Sequence, residues 1–185
     1  MHIPFELCFL MIFRLFFSLT YANHYFVLKV YSRHYISDYG GIYLDWDVLV
    51  LKSFDDLRKY DVTLGRETNF SLANGIIMAK RGAAFLRIWL ETYHSFREDE
   101  WGEHSCVMPN KLLSVVPHLV HVEETSLLRP NWKETDLLFS GHYPWRKNYA
   151  IHVWKRRGKV PQNPTDLINL NSTLGEIMRH VLFLN

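Results

Sequence analysis

The segment Tyr39–Leu51, YGGIYLDWDVLVL, constrains this chain more than any other stretch, because two carboxylates interrupt a run of apolar residues. Two glycines lead into the run, and Asp45 and Asp47 stand one residue apart in its middle. Alternate positions of a β-strand point to the same face of the sheet. The pattern therefore predicts one strand that directs both carboxylates at a common point, or two short strands that are separated at the aspartates.

Two carboxylates held this close repel each other, and one of them is driven toward protonation. A divalent cation removes the conflict, because it binds carboxylate oxygens and keeps coordination positions open for phosphate oxygens. Asp45 and Asp47 are therefore candidate ligands of a metal that bridges to a diphosphate and neutralises charge on this leaving group. A bare D-x-D pair is also common on solvated turns, so a purely structural turn remains the alternative.

The composition is typical of a single globular domain, since the 185 residues are 48% hydrophobic and 22% charged. Such values exclude a disordered chain. The formal net charge of +2 gives no electrostatic signature of nucleic-acid binding, and we expect no nucleic-acid partner. One basic cluster, HVWKRRGK, can attract phosphate, although a solvated turn explains it equally well.

Residues 1–22 form an apolar leader, and we expect residues 23–185 to form the functional domain. Glu6 and Arg14 interrupt the leader, whereas a membrane-spanning helix needs about 20 apolar residues. No Lys or Arg precedes its apolar run, Ile3–Ala22, as one would in a signal peptide. It is thus a possible membrane anchor, a buried first element, or sequence outside the domain. The sequons at Asn69 and Asn171 weakly favour a secreted glycoprotein.

The apolar periodicity of the remaining chain alternates between helical and extended patterns, which favours an α/β fold. Helices are predicted over His24–Asp38, within RGAAFLRIWLETYHSF, over Glu103–Val116 with Pro109 at a bend or a start, and over NPTDLINLNSTLGEIMRHVLFL with a break at Gly175. Strands are predicted at VTLG, NGIIMAK, HLVHVE and YAIHVW, and Asn74–Gly75 is most simply a turn before its strand. In α/β folds ligands bind beyond the carboxyl ends of strands, and Asp45 directly follows such an end.

Several segments together resemble one enzyme family. DYGGIYLDWDVLVLKSFDDL is similar to the DXD region of family 32 glycosyltransferases, whose usual form is YGGIYLDTDV. ANGIIMAKRGAAFLRIWLETY looks like the strand and helix that follow in that family, and VEETSLLRPNW and NYAIHVW are similar to later segments of animal members. The resemblance extends from about Val27 to Trp154, with the segments in the family's order.

The resemblance implies a GT-A fold, which is a Rossmann-like α/β domain around a mixed sheet. It implies a metal-dependent hexosyl- or N-acetylhexosaminyl-transferase that works with retention at the anomeric carbon. The expected donor is a UDP- or GDP-sugar, the expected cofactor is Mn²⁺ or another divalent cation, and the expected acceptor is a glycan or glycolipid. The family resemblance places such an enzyme on the lumenal side of the Golgi membrane.

Carried over residue by residue, the resemblance makes Asp45 and Asp47 the catalytic carboxylates and adds His152 to them as a third metal ligand. It assigns donor binding to Gly40, Gly41, Tyr43, Asp45, Asn74 and Trp154. Glu100, Trp101, Glu103 and His104 are candidates for acceptor contact. A histidine satisfied within a core strand remains the alternative for His152, and a catalytically inactive remnant that binds glycans or a partner enzyme remains the alternative function.

Overall fold

The structure, a computed structural model, describes residues 32–95 and 102–183. The apolar leader, the first part of the predicted helix His24–Asp38, and two acceptor candidates, Glu100 and Trp101, lie outside these residues. Within the two described ranges, no helix has the length and hydropathy needed to cross a membrane.

The described strands are β1 (Gly41–Leu44), β2 (Val48–Val50), β3 (Val62–Thr68), β4 (Ser71–Ala79), β5 (His121–Glu123) and β6 (Ala150–His152). The helices are α1 (residues 32–39), α2 (Ala84–Glu91), α3 (Met108–Val115), α4 (Thr135–Phe139), α5 (Pro164–Asn169) and α6 (Thr173–Phe183). A π-helical turn, Glu103–Val107, leads directly into α3, and Pro109 lies in the first turn of α3. Pro109 therefore lies at the start of α3, the second of its two predicted positions, where the π-helical turn changes into an α-helix.

The strands form a mixed sheet in the order β1-β4-β3-β5 and a separate two-stranded ribbon of β2 and β6. β4 pairs antiparallel with both β1 and β3, whereas β3 and β5 are parallel. This mixed sheet with flanking helices is compatible with the expected Rossmann-like fold. The segment IYLDWDVLVL is two strands that belong to two different sheets, which confirms the second of the two interpretations of its sequence.

The main sheet is covered on both faces. Helix α2 presents Phe85, Leu86 and Trp89 to one face, and all three side chains are fully buried. Their spacing places them on one side of the helix, as the amphipathic pattern predicts. The opposite face packs on a second cluster, which consists of Phe54, Leu57, Ala73, Ile76, Met78, Leu127, Leu128 and Ala150. A third cluster joins the β2–β6 ribbon to α4 and α6 and includes Leu138, Trp145, Ile151, Val153, Leu174 and Ile177.

The C-terminal helical region breaks at a different place from the predicted one. α5 ends at Asn169 and α6 begins at Thr173, so the break precedes Gly175. Gly175 lies within α6, where an added Cβ would lie 2.1 Å from the carbonyl oxygen of Leu170. The glycine is therefore explained by a close approach of backbone to backbone rather than by a helix end.

Candidate functional site

The pairing of β2 with β6 places His152 beside Asp47. Val48 is opposite His152 in the ribbon, and the amide of Val153 donates to the carbonyl oxygen of Asp47 at 2.8 Å. Nε2 of His152 lies 2.9 Å from Oδ1 of Asp47. The other carboxylate oxygen of Asp47 accepts a hydrogen bond from the backbone amide of Lys155 at 3.1 Å. Contacts from a strand and from the following turn thus hold the Asp47 carboxylate on both of its oxygens.

Asp45 reaches the same place from the end of β1. Its amide donates to the carbonyl oxygen of Gly75 on β4 at 2.7 Å, and the hydroxyl of Tyr43 donates to its Oδ1 at 2.6 Å. The amide of Val48 donates to the carbonyl oxygen of Asp45 at 3.1 Å. The chain therefore turns between the two aspartates, and the first of the two interpretations, one strand that continues through Trp46, is wrong. The turn, rather than the alternation of a strand, makes the two carboxylates converge.

Asp45, Asp47 and His152 each offer a ligand atom, and these three atoms lie within 4.8 Å of one another. Nε2 of His152 is 3.8 Å from Oδ2 of Asp45. The three side chains retain between 8% and 16% of their surface in contact with solvent, so the cluster is largely enclosed but has an opening. Two carboxylates and an imidazole form a donor set that suits a divalent cation.

A β-bulge brings Gly75 against this cluster. The register of β3 and β4 jumps from Leu64 opposite Ile77 to Gly65 opposite Ala73, so residues 74–76 are extra residues on β4. Bulges redirect backbone groups and occur often beside functional sites. Asn74 and Gly75 lie within β4, and the interpretation of this pair as a turn is wrong. An added Cβ at Gly75 would lie 2.9 Å from Nδ1 of His152 and 3.3 Å from Oδ2 of Asp45.

Substituting Gly75 by Ala is expected to displace the imidazole of His152, because the added methyl group would overlap with this buried ring. We expect a loss of about 1–3 kcal/mol in the free energy of unfolding. We also expect that Mn²⁺ raises the melting temperature of the variant less than that of the wild type. Gly102→Ala is the matched control, since no atom of the described residues lies within 4 Å of its added Cβ. If Gly75→Ala is as stable as the wild type and responds to Mn²⁺ in the same way, the result would contradict this geometry.

The surroundings of Asp47 keep it ionised. Burial raises the pKa of its carboxyl, but the hydrogen bond and charge of His152 and the amide of Lys155 together outweigh burial, and the pKa lies below the ordinary value of 3.8. Nδ1 of His152 is buried and has no hydrogen-bond partner among the described residues. A singly protonated imidazole is therefore best satisfied with that proton on Nε2, from which it is donated to Asp47. A metal at Nε2 would require the proton on Nδ1, so the carboxylates are the stronger ligands.

The stability of the metal-free protein is expected to fall in acid through Asp47. Because its pKa is lower in the folded than in the unfolded chain, the folded state binds fewer protons near that pKa. The stabilisation is then complete above about pH 5 and is lost as the pH falls through the folded pKa. Urea unfolding at pH 7 and pH 3 should show that Asp47→Asn costs less stability at pH 3. An equal cost at both pH values would contradict the assignment.

The other predicted donor-binding residues lie at different distances from the cluster. The ring of Trp154 packs on His152, with centroids 3.9 Å apart, and its Nε1 donates to the carbonyl oxygen of Pro130. Asn74 is buried next to Gly75. Gly40 and Gly41 have positive φ angles of 73° and 124° and lie at the opposite end of β1 from Asp45. They line a separate groove of about 970 Å³, so the structure does not bring them to the carboxylates.

Two further residues of the site were not among the predicted ones. Gly75 forms a wall of the cluster, and Lys155 supplies the amide that binds Asp47. The basic cluster HVWKRRGK was the available signal for Lys155, because it begins with His152 itself. The acceptor candidate His104 instead lies in the protein interior with 3% exposure, where its carbonyl oxygen accepts from Nε1 of Trp89.

Comparison with known proteins gives one informative similarity. The chain is 32% identical over 151 residues to a protein of the fungus Cryptococcus neoformans var. grubii that is named "Glucan organizing enzyme 1". The match covers 73% of this chain and 40% of the fungal protein, so the chain spans less than half of the length of that relative. No protein-family model and no solved structure matches the chain. The chain is a distant homologue of an enzyme whose name concerns a glycan.

Proposed function

We propose that this chain carries the metal and diphosphate site of a retaining glycosyltransferase, which moves a hexosyl or N-acetylhexosaminyl group from a nucleotide-sugar to a glycan or glycolipid. The observation that carries the proposal is the convergence of Asp45, Asp47 and His152 from two sheets onto one partly enclosed point. The distant similarity to "Glucan organizing enzyme 1" supports carbohydrate chemistry, and the resemblance of YGGIYLDWDV to the DXD region supports sugar transfer in particular.

The residues of the cluster fit a divalent cation, and we propose Mn²⁺. Asp45 and Asp47 would hold it with their carboxylates, and His152 would add a weaker nitrogen ligand because its Nδ1 has no acceptor among the described residues. When bound, the cation would supply Lewis acidity that neutralises the negative charge of the departing nucleoside diphosphate.

The side chains around the cluster keep its ligands oriented before any substrate binds. The hydroxyl of Tyr43 fixes one oxygen of Asp45, and His152 and the amide of Lys155 fix both oxygens of Asp47. Such preorganisation lowers the cost of assembling charge in the reaction. The short turn Lys155–Arg157 places three basic side chains directly after this amide. Their positive charge favours a diphosphate at the cluster.

The cellular setting belongs to the same proposal. We propose action on the lumenal side of the Golgi membrane, where nucleotide-sugars and manganese serve glycan synthesis. Asn69 is exposed at the tip between β3 and β4, which suits glycosylation of its sequon. Asn171 is also exposed, and in both sequons the hydroxyl residue, Ser71 or Thr173, is buried.

The decisive experiment is thermal unfolding of the chain with Mn²⁺ and UDP, with Mn²⁺ and GDP, and with each component alone. A ligand at 100 times its dissociation constant adds about 2.7 kcal/mol of stability, which corresponds to a rise of about 5–10 °C for a chain of this size. We expect this rise with one of the two nucleotides and Mn²⁺, and its removal by a chelator.

The outcome also separates the proposal from its alternative. No stabilisation by Mn²⁺ with either nucleotide would overturn the transferase proposal. Glycan binding that persists without any nucleotide response would favour the inactive binding module instead. The preferred nucleotide would in addition identify the base of the donor.

A further inference from the structure

Trp46 is an exposed tryptophan in an unusual position. It lies in the turn between the two aspartates of the cluster, and 64% of its surface is accessible to solvent. Large aromatic side chains usually bury most of their area, and an exposed one next to a site is therefore informative. The usual form of the related DXD segments, YGGIYLDTDV, has a small threonine at this place. A solvated turn does not require an indole here.

Lys155 holds the indole in place. Its Nζ lies 4.4 Å from the centroid of the Trp46 ring, which is the geometry of a cation–π contact. The backbone amide of the same lysine donates to Asp47. Lys155 thus connects the indole of Trp46 to the carboxylate cluster. With the ammonium group over it, the indole is still mostly exposed. The ring is therefore a partly fixed surface beside the cluster, which reduces the entropy lost on binding.

An exposed indole face suits a sugar ring. The face carries partial negative charge, and the C–H groups on one side of a pyranose ring carry partial positive charge, so the two surfaces attract while water is displaced. A nucleoside base also stacks on aromatic rings. In a donor, however, the ribose separates the base from the phosphate oxygens that would bind the metal, whereas the acceptor must bring a hydroxyl close to the leaving group. The position of Trp46 between the two aspartates favours the acceptor.

We propose that Trp46 is the stacking platform for the acceptor saccharide, with Lys155 fixing the ring. This inference rests on the proposed function, because that function makes the neighbouring cluster the place of sugar transfer. The recognised ligand is a saccharide ring with one apolar face. Trp46 binds this ring through the open part of its indole, beside Asp45 and Asp47.

The test is calorimetric titration of the full chain with defined oligosaccharides: cellobiose, laminaritriose, maltotriose, lactose and N,N′-diacetylchitobiose. Uridine and guanosine are titrated in parallel. For a saccharide that binds the wild type, Trp46→Ala is expected to raise the dissociation constant at least about tenfold. Trp46→Phe should recover most of this loss, because phenylalanine keeps an aromatic face. Circular dichroism checks that each variant is folded.

Phe70→Ala is the matched control. Phe70 is 56% exposed, and Nζ of Lys133 lies 5.3 Å from its ring centroid. It thus resembles Trp46 in its exposure and in its contact with a lysine, but it lies at the tip between β3 and β4. Its removal is expected to change the dissociation constant by less than about twofold.

Each outcome decides the inference. Absence of binding by every saccharide, or equal binding by wild type and Trp46→Ala, overturns it. Loss of uridine or guanosine binding in Trp46→Ala without loss of saccharide binding assigns the indole to the donor base and overturns it as well. In a further outcome, Mn²⁺ and the nucleotides fail to stabilise the wild type while saccharide binding still depends on Trp46. This combination overturns the transferase proposal and supports the platform as a saccharide site.

Discussion

Replacement of Asp47 by asparagine is expected to abolish the stabilisation by Mn²⁺ and to lower sugar transfer more than about 100-fold, because even the loss of a group that only orients a metal ligand costs 10–100-fold. Asparagine has nearly the same shape and still offers an oxygen to the amide of Lys155, so the fold should persist at neutral pH. The variant removes the negative charge that attracts the cation. Thermal unfolding with Mn²⁺ and a donor-turnover assay measure the two effects.

Asp55→Asn is the control for this prediction. Asp55 is an exposed carboxylate that pairs with Ser53 and Arg58. Its substitution by asparagine removes the same charge as Asp47→Asn does, but outside the cluster. It should keep the response to Mn²⁺ and the turnover. Turnover that survives in Asp47→Asn would remove the metal mechanism while leaving an enzyme, and an unchanged response to Mn²⁺ would show that the cation binds elsewhere.

Replacement of Trp89 by alanine is expected to cost about 3–5 kcal/mol of the free energy of unfolding. The side chain is fully buried between α2 and the main sheet, and Nε1 donates to the carbonyl oxygen of His104 at 2.8 Å. The guanidinium of Arg33 lies over the ring, 4.3 Å from its centroid. Alanine therefore leaves a cavity, a carbonyl oxygen without this donor, and a buried cation that keeps only its second aromatic contact, with Tyr93.

Urea unfolding of Trp89→Ala is compared with that of Ile88→Ala. Ile88 precedes Trp89 on α2 but is 37% exposed, so its truncation should cost less than about 1 kcal/mol. The melting temperature of Trp89→Ala should fall by roughly 10 °C or more for a chain of this size. Equal effects of the two variants would show that α2 does not pack as described.

Much of the fold follows from local patterns in the sequence. The apolar run before Asp45 predicts β1, the run after Asn74 predicts β4, and the four-residue spacing of Phe85 and Trp89 predicts α2. These elements are readable because one face of each is buried, and burial imposes a period on the sequence. Two of the wrong predictions concern Gly75, which was interpreted as part of a turn, and Gly175, which was interpreted as a helix break. Each is a glycine because another part of the chain approaches its backbone closely, and this reason is not local.

The residue types alone place two carboxylates within one apolar run and a histidine within a later apolar segment. How they meet depends on the tertiary structure: the chain turns at Trp46, β2 pairs with β6 so that His152 lies beside Asp47, and a bulge in β4 opens space at Gly75. The physical reason is that residue types and local periods are encoded over a few positions. The pairing of strands about a hundred residues apart depends instead on how the whole core packs.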